Sequence, residues 1–217
     1  MEPDSDNAGK RSKGAAMRFL LPSMTLVAVF AAGCGSVRYP RTYTLDLNAA
    51  APAAARPPAV GALVVRDFTC PDYLSDGRIV YRPTGTEVGY YEYHRWAMTL
   101  RRMVTDSIAS RIRNRGAFGS VEPAKNAAGP TYVLSGAIER LEEVDDGRNV
   151  QAVVQLSAQL VDTRAQKTVW RHSEIASEPV IKRDVSGVVG SLSAATARAI
   201  DALIASLESN LALDRTQ

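Results

Sequence analysis

The alternation of apolar and polar residues is cleanest between Val150 and Val161. Val150, Ala152, Val154, Leu156, Ala158 and Leu160 fall on one face, while Gln151, Gln155, Ser157 and Gln159 fall on the other. Val153 and Val161 are the exceptions. A period of two predicts a strand with one buried and one wet face, as in an antiparallel sheet. The stretch before it, Thr131 to Val144, places Tyr132, Leu134, Gly136 and Ile138 on one face. Asp145–Asn149 separates the two as a hairpin turn, with Gly147 suited to positive φ. Asp162–Lys167 turns the chain again and Thr168–Ile175 returns it, which predicts a three-stranded meander.

Upstream, Tyr43–Leu47 alternates as a first strand, and Val60–Phe68 reads as a buried one. Cys70–Gly77 is a turn, Arg78–Arg82 a strand, and Glu87–Tyr93 a further extended piece. The period then changes. Trp96, Leu100, Met103, Val104, Ser107, Ile108, Arg111 and Ile112 recur at three and four, predicting an amphipathic helix. It starts near His94–Trp96 and ends at Asn114-Arg115-Gly116, where Gly supplies a left-handed C-cap. Phe118–Val121 is a short strand, followed by a loop over Glu122–Pro130. Asp184 is a fitting N-cap for a second long helix with its stripe on Val185, Val188, Val189, Leu192, Thr196, Ala199, Ile200, Leu203, Leu207 and Leu211. These elements predict an α+β fold: a largely antiparallel β-sheet with two long amphipathic helices packed on one face.

The N-terminal pattern is of another kind. Met17–Cys34 has a cationic residue at Arg18, then an apolar run over Phe19–Ala32 interrupted by Pro22, Ser23 and Thr25, and ends in Ala31-Ala32-Gly33-Cys34. Small residues leading straight into cysteine suit a lipoprotein signal peptidase, whose substrate thiol is first alkylated with diacylglycerol. An ordinary signal peptide has no requirement for that cysteine. The competing reading, an uncleaved anchor, needs about 20 apolar residues to span a bilayer, more than this run offers. Residues 1–33 therefore read as a signal peptide and Cys34 as the lipidation site. Residues 1–16 are polar, and Met17 is itself a credible start. Residues 34–59 comprise the lipidated end, the first strand and the Ala/Pro-rich stretch 48–59; residues 60–213 form one α+β domain. Gly35, rather than Asp, after the cysteine favours sorting to the outer membrane in a Gram-negative host.

Charge is nearly balanced: 26 Lys and Arg against 23 Asp and Glu, or 22 against 20 after residue 33. No basic stripe of the kind that binds nucleic acid is present. The run Arg95, Arg101, Arg102, Arg111, Arg113, Arg115 reads as a solvated helix face, or as contact with an anionic partner or lipid headgroups. With Cys34 acylated, Cys70 has no disulfide partner and reads as a small apolar residue.

Candidate chemistry is sparse. The two histidines, His94 and His172, belong to no metal-ligand pattern. Neither a phosphate loop nor a nucleophile elbow is present, and Glu142, Glu143, Asp145 and Asp146 lack calcium-loop spacing and read as a solvated hairpin tip. No catalytic residues, metal or cofactor are expected, and the chain is not expected to be an enzyme. The densest aromatic region is Tyr90-Tyr91-Glu92-Tyr93-His94-Arg95-Trp96, which reads as core at a sheet–helix junction or as an interaction surface.

The order of several short motifs resembles the ABC-type transport auxiliary lipoprotein family, including the paraquat-inducible-type lipoproteins associated with mammalian-cell-entry (MCE) proteins. These are the lipobox cysteine, Arg41-Thr42-Tyr43-Thr44-Leu45, Tyr73-Leu74, Arg78-Ile79-Val80-Tyr81-Arg82, and Tyr93-His94-Arg95-Trp96-Ala97 leading to Leu100. The resemblance covers about residues 34–211. It departs at Cys70-Pro71-Asp72, where the family tends to have an apolar-Pro pair. It implies a non-enzymatic periplasmic lipoprotein, lipid-anchored to the periplasmic face of the outer membrane. Its implied partners are an MCE-domain protein and an ABC permease with its ATPase, with no nucleic acid, and homo-oligomerisation is left open. The implied role is support of phospholipid trafficking between the inner and outer membranes. By matching motif, Tyr93, His94, Arg95 and Trp96 are the expected partner-binding residues. An envelope-assembly or peptidoglycan-associated scaffold is the alternative, and lipid binding between helices and sheet a third reading.

Overall fold

A single long strand organises the sheet. In the computed structural model, which describes residues 39–47, 60–123 and 131–214, strand β6 (Tyr132–Asp145) is paired along one whole border with β7 (Val150–Asp162), antiparallel from Tyr132↔Asp162 to Asp145↔Val150. β8 (Lys167–Pro179) continues the meander antiparallel to β7. The signal peptide, Cys34, the stretch 48–59 and positions 124–130 of the expected loop lie outside the described residues.

The other border of β6 is shared. At its start it pairs in parallel with β2 (Val60–Val65), which carries β5 (Phe118–Pro123), also parallel. Further on, Thr69 bridges to Ala137. At its end it pairs in parallel with β3 (Arg78–Arg82). β3 pairs antiparallel with β4 (Gly89–Trp96), and β4 pairs in parallel with β1 (Arg41–Tyr43). The sheet is thus antiparallel in its longest pairs and parallel where β1 joins β4, where β2 and β3 join β6, and where β5 joins β2. A short helix, α1 (Asp72–Ser75), lies within the Cys70–Gly77 turn.

Two long helices share one apolar layer with the sheet. Ile108 and Ile112 of α2 (Leu100–Arg115) and Leu203, Ile204 and Leu207 of α3 (Val185–Asp214) meet Phe68, Leu134, Ala158 and Trp170. All six apolar positions on the even-numbered face of β7, from Val150 to Leu160, are buried, each leucine contributing about 1.5–3 kcal/mol by leaving water. Gly136 lies under Phe68: a Cβ there would run into the Phe68 ring and the Ser157 carbonyl, so only glycine admits this packing. α3 is long and apolar enough to cross a membrane, but its stripe from Val188 to Leu211 is covered by the sheet and α2.

The expected helix ends are met at two places. Gly116 closes α2 at φ 66°, its N–H bonded to the Arg113 carbonyl. Asp184 accepts the Gly187 N–H at 2.8 Å, capping α3; Lys182, then that N–H, hold its carboxyl down to about 2.

Four expectations are corrected. α2 does not begin at His94–Trp96. Those residues finish β4, because β1 pairs with them (Arg41↔His94, Tyr43↔Trp96), and the helix starts four residues later after Thr99. The first strand is not Tyr43–Leu47: it ends at Tyr43, and the next residues cross the helices. Leu45 is buried with its N–H on the Met103 sulfur, and the Asp46 N–H bonds Ser193 Oγ at 3.0 Å. Arg111 and Arg115 do not belong to a solvated face. The Arg111 side chain is buried and donates to Asp201 at 2.7 Å; Arg115 donates to Asp201 and Glu208, so the pair clamps α2 to α3. Finally, Glu142 and Glu143 are not a hairpin tip. A bulge between Ile138 and Arg140 shifts the strand's phase, and pairing with β7 carries on to Asp145.

Candidate functional site

The β4 segment and the end of β6 hold the densest polar chemistry of the domain. As neighbours in a strand, Glu142 and Glu143 point to opposite faces, the bulge before them deciding which faces which side, and each is buried with a different partner. Glu142 accepts two bonds from Arg82, Nε at 2.9 Å and Nη2 at 3.0 Å, and one from Arg140 Nε at 2.8 Å. Burial alone pushes the Glu142 carboxyl up, but the hydrogen bonds from Arg82 and Arg140 outweigh it and hold the group below the usual carboxylate range. The same bond raises Arg82. Tyr73 covers this cluster, its hydroxyl pushed up by burial and then by the Glu142 charge.

Glu143 faces the helix side and pairs with no cation among the described residues. The Tyr91 hydroxyl donates to it at 2.6 Å. Burial pushes Glu143 up against that hydrogen bond, and the charge of Asp145 adds to the rise. Burial and the carboxylate together push the Tyr91 hydroxyl up as well. Tyr91 stands 5.1 Å from the Tyr81 ring and 6.0 Å from the His94 ring, and His94 Nδ1 shares a hydrogen bond of 2.9 Å with the Tyr43 hydroxyl. Arg78 stacks 4.0 Å over Tyr90.

The four expected partner-binding residues separate along β4. Trp96 is buried, and His94 is half-buried against Tyr43 and Tyr91. Tyr93 and Arg95 are exposed, with Arg95 lying 3.9 Å from Asp76. The structure therefore brings His94 and Trp96 into the packing of the domain and leaves Tyr93 and Arg95 on its outside. Cys34 lies outside the described residues. His172, the other histidine, lies 3.3 Å from Glu174 on β8. Among the described residues, no three His, Cys, Asp or Glu side chains converge as a metal site.

The Arg82–Glu142–Arg140 set was not marked by the hydrophobic pattern. Its one sequence signal is Arg140-x-Glu142, since a spacing of two puts both side chains on one face of a strand. An open cleft of about 460 Å³ lies beside it, lined by Arg82, Thr84, Arg140, Val144, Asp145 and Asp146. Between the helices and the sheet, by contrast, the space left among Phe68, Ile112, Leu134, Trp170 and Leu207 is about 10 Å³, no more than one water-sized probe.

The family model for the ABC-type transport auxiliary lipoprotein component matches residues 43–204. The chain belongs to this family. The match starts where β1 ends and reaches into α3, spanning the forked sheet and both helix contacts. Protein XCC0632 from Xanthomonas campestris has a similar structure, with 21% identity, a TM-score of 0.73, and coverage of 82% of this chain and 99% of that one. A second similar structure is an uncharacterized protein at 15% identity and TM-score 0.59, covering 76% and 96%. Both likenesses concern the fold. No curated protein matches the sequence at a significant level.

Proposed function

We propose that this auxiliary lipoprotein is a lipid-anchored periplasmic adaptor, attached through Cys34 to the outer membrane of a Gram-negative host. It supports phospholipid trafficking by an ABC/MCE-type system between the two membranes, through protein–protein contacts. It is not an enzyme. The family match over residues 43–204 carries this reading. The tight packing among Phe68, Ile112, Leu134, Trp170 and Leu207 supports an adaptor over a carrier, since a space of about 10 Å³ holds no acyl chain. Tyr93 and Arg95, the outward members of the β4 motif, are the side chains assigned to partner contact.

Crosslinking in cells followed by purification tests the reading. An MCE-domain protein or the ABC permease in the product supports it, and a Tyr93→Ser/Arg95→Glu variant should capture several-fold less. Cell-wall or outer-membrane assembly components in their place would make the protein a scaffold and overturn it. Cys34→Ala should leave the membrane fraction; normal fractionation of that variant would sink the anchor.

A further inference from the structure

We propose that the β1 border of the sheet, with the β4–α2 corner beside it, is the face of the domain that lies on a bilayer of anionic phospholipid. This rests on the attachment at Cys34 proposed above. The covalent chain limits the distance. Cys34 and Pro40 are six residues apart, so at about 3.3–3.6 Å per residue the link spans no more than about 20 Å. β1 begins at the next residue, Arg41, and among the described residues pairs with β4 alone, so it is a border of the described sheet. Through β4, β3, β6 and β7 the opposite border, β8, is five strand spacings away, about 24 Å at ~4.8 Å each. The short link therefore holds the β1 border at the membrane while β8 is free to stand away from it.

The chemistry of that border suits the occupant. Arg41 and Thr42 are exposed. The Ala97 N–H bonds the Tyr43 carbonyl at 2.7 Å, which ties the β4–α2 corner to the end of β1. Around the buried Leu100 the corner is exposed: Ala97, Met98 and Thr99 before it, then Arg101 and Arg102 in the first turn of α2. Met98 is an apolar side chain 44% exposed at the tip. Arg102 lies 3.5 Å from Asp106, whereas Arg41 and Arg101 form no ion pair among the described residues. The acidic groups on or near this border are Asp46, Asp76, Glu92 and Asp106, against Arg41, Arg95, Arg101 and Arg102; Asp76 lies 3.9 Å from Arg95 and Asp106 lies by Arg102. The first turn of α2 contains no acidic residue, so two arginines sit at the positive end of its dipole. That arrangement is unfavourable within the domain and favourable against a negative surface. A flexible thioether at the tip of a corner flanked by arginines matches an interface of headgroups over acyl chains.

The test uses the full chain, purified with its lipid and placed in vesicles of either phosphatidylglycerol with phosphatidylcholine or phosphatidylcholine alone. A photo-crosslinking benzoyl-phenylalanine is placed at Met98, or at Ile175 of β8, which is 59% exposed. Lipid should be labelled from position 98 and not from 175, more strongly in the anionic vesicles. Arg41→Glu with Arg101→Glu should cut that labelling by about tenfold or more, as loss and reversal of two charges near an anionic surface predicts. Equal labelling from both positions, labelling from 175 alone, labelling of protein rather than lipid at 98, or indifference to the charge variant would overturn the proposal. The mass of the purified protein reports acylation separately. If Cys34 carries no lipid, the anchored reading fails by itself. Salt-sensitive co-sedimentation of the unacylated chain with the anionic vesicles, lost in the charge variant, would still support the patch, and no co-sedimentation would refute it.

Discussion

The meander and the β1–β4–β3 side of the sheet handle polar groups in opposite ways, and β6 belongs to both. In β7 every apolar residue of one parity is buried, and its polar partners Gln151, Gln155, Ser157 and Gln159 sit on the wetter face. On the other side the polar groups are themselves taken inside: Glu142 with two arginines, Glu143 with Tyr91, His94 with Tyr43. The first region draws its stability from area removed from water, which is non-directional. The second depends on particular partners, because a buried polar group costs most when its partner is removed. Register on the meander is set by pattern, and register on the other side is set by bonds that span distant parts of the chain.

The largest effect is expected where the area argument is strongest. Leu156→Ala, at a fully buried site of β7, should cost about 2–5 kcal/mol in denaturant unfolding. A loss below 1 kcal/mol, roughly the level of a surface change, would break the picture of a packed meander. Next comes Arg82→Ala. It leaves Glu142 buried with Arg140 alone, and should cost about 2–3 kcal/mol, short of the 3–5 of a fully stripped charge. If Glu142→Gln proves as costly in the Arg82→Ala background as in the wild type, the two are not coupled and the contrast between the regions fails. Tyr91→Phe is expected to cost about 1–2 kcal/mol, since it removes the hydroxyl bonded to Glu143.

The smallest and most discriminating effect is on pH dependence. Glu143 titrates above its ordinary value of 4.5, so the folded state prefers its neutral form. Its favourable contribution is present below the unfolded value and is lost as pH rises through the folded one. Glu142 runs the other way: held low, it contributes above the unfolded value and loses that contribution as pH falls. Glu143→Gln should therefore gain in melting temperature relative to the wild type as pH rises from about 4.5 through the folded value. Glu142→Gln should lose relative to the wild type as pH rises from the folded value to about 4.5 and run parallel to it above that. Parallel curves for the two variants would show that the adjacent carboxylates share one environment.

The same contrast explains which features could be read in advance. The alternation in Val150–Val161, the three-four stripe from Val185 to Leu211 and the Gly116 and Asp184 caps appear in the structure because each is encoded over a few neighbouring residues. At His94–Trp96 local pattern misleads: Trp96 fits the stripe of the helix that follows, while β1, some fifty positions earlier, captures the segment as strand. Of the site, the sequence marked the aromatic run on β4 but not its division into inward His94 and Trp96 and outward Tyr93 and Arg95.

By itself, then, the sequence determined the α+β class, the meander, the helix caps and the family, all of which rest on local periodicity, local hydrogen-bonding chemistry and the order of short motifs. Tertiary structure alone decided the fork at β6, the burial of Glu142 and Glu143, the clamp of Arg111 and Arg115 on α3, and the closing of the layer under the helices. A bulge of one residue near Glu139 reverses which side chains face inward for the rest of β6. Whether a charge in that strand is solvated or enclosed then depends on arginines and a tyrosine brought from β3 and β4, which no periodicity within β6 can express.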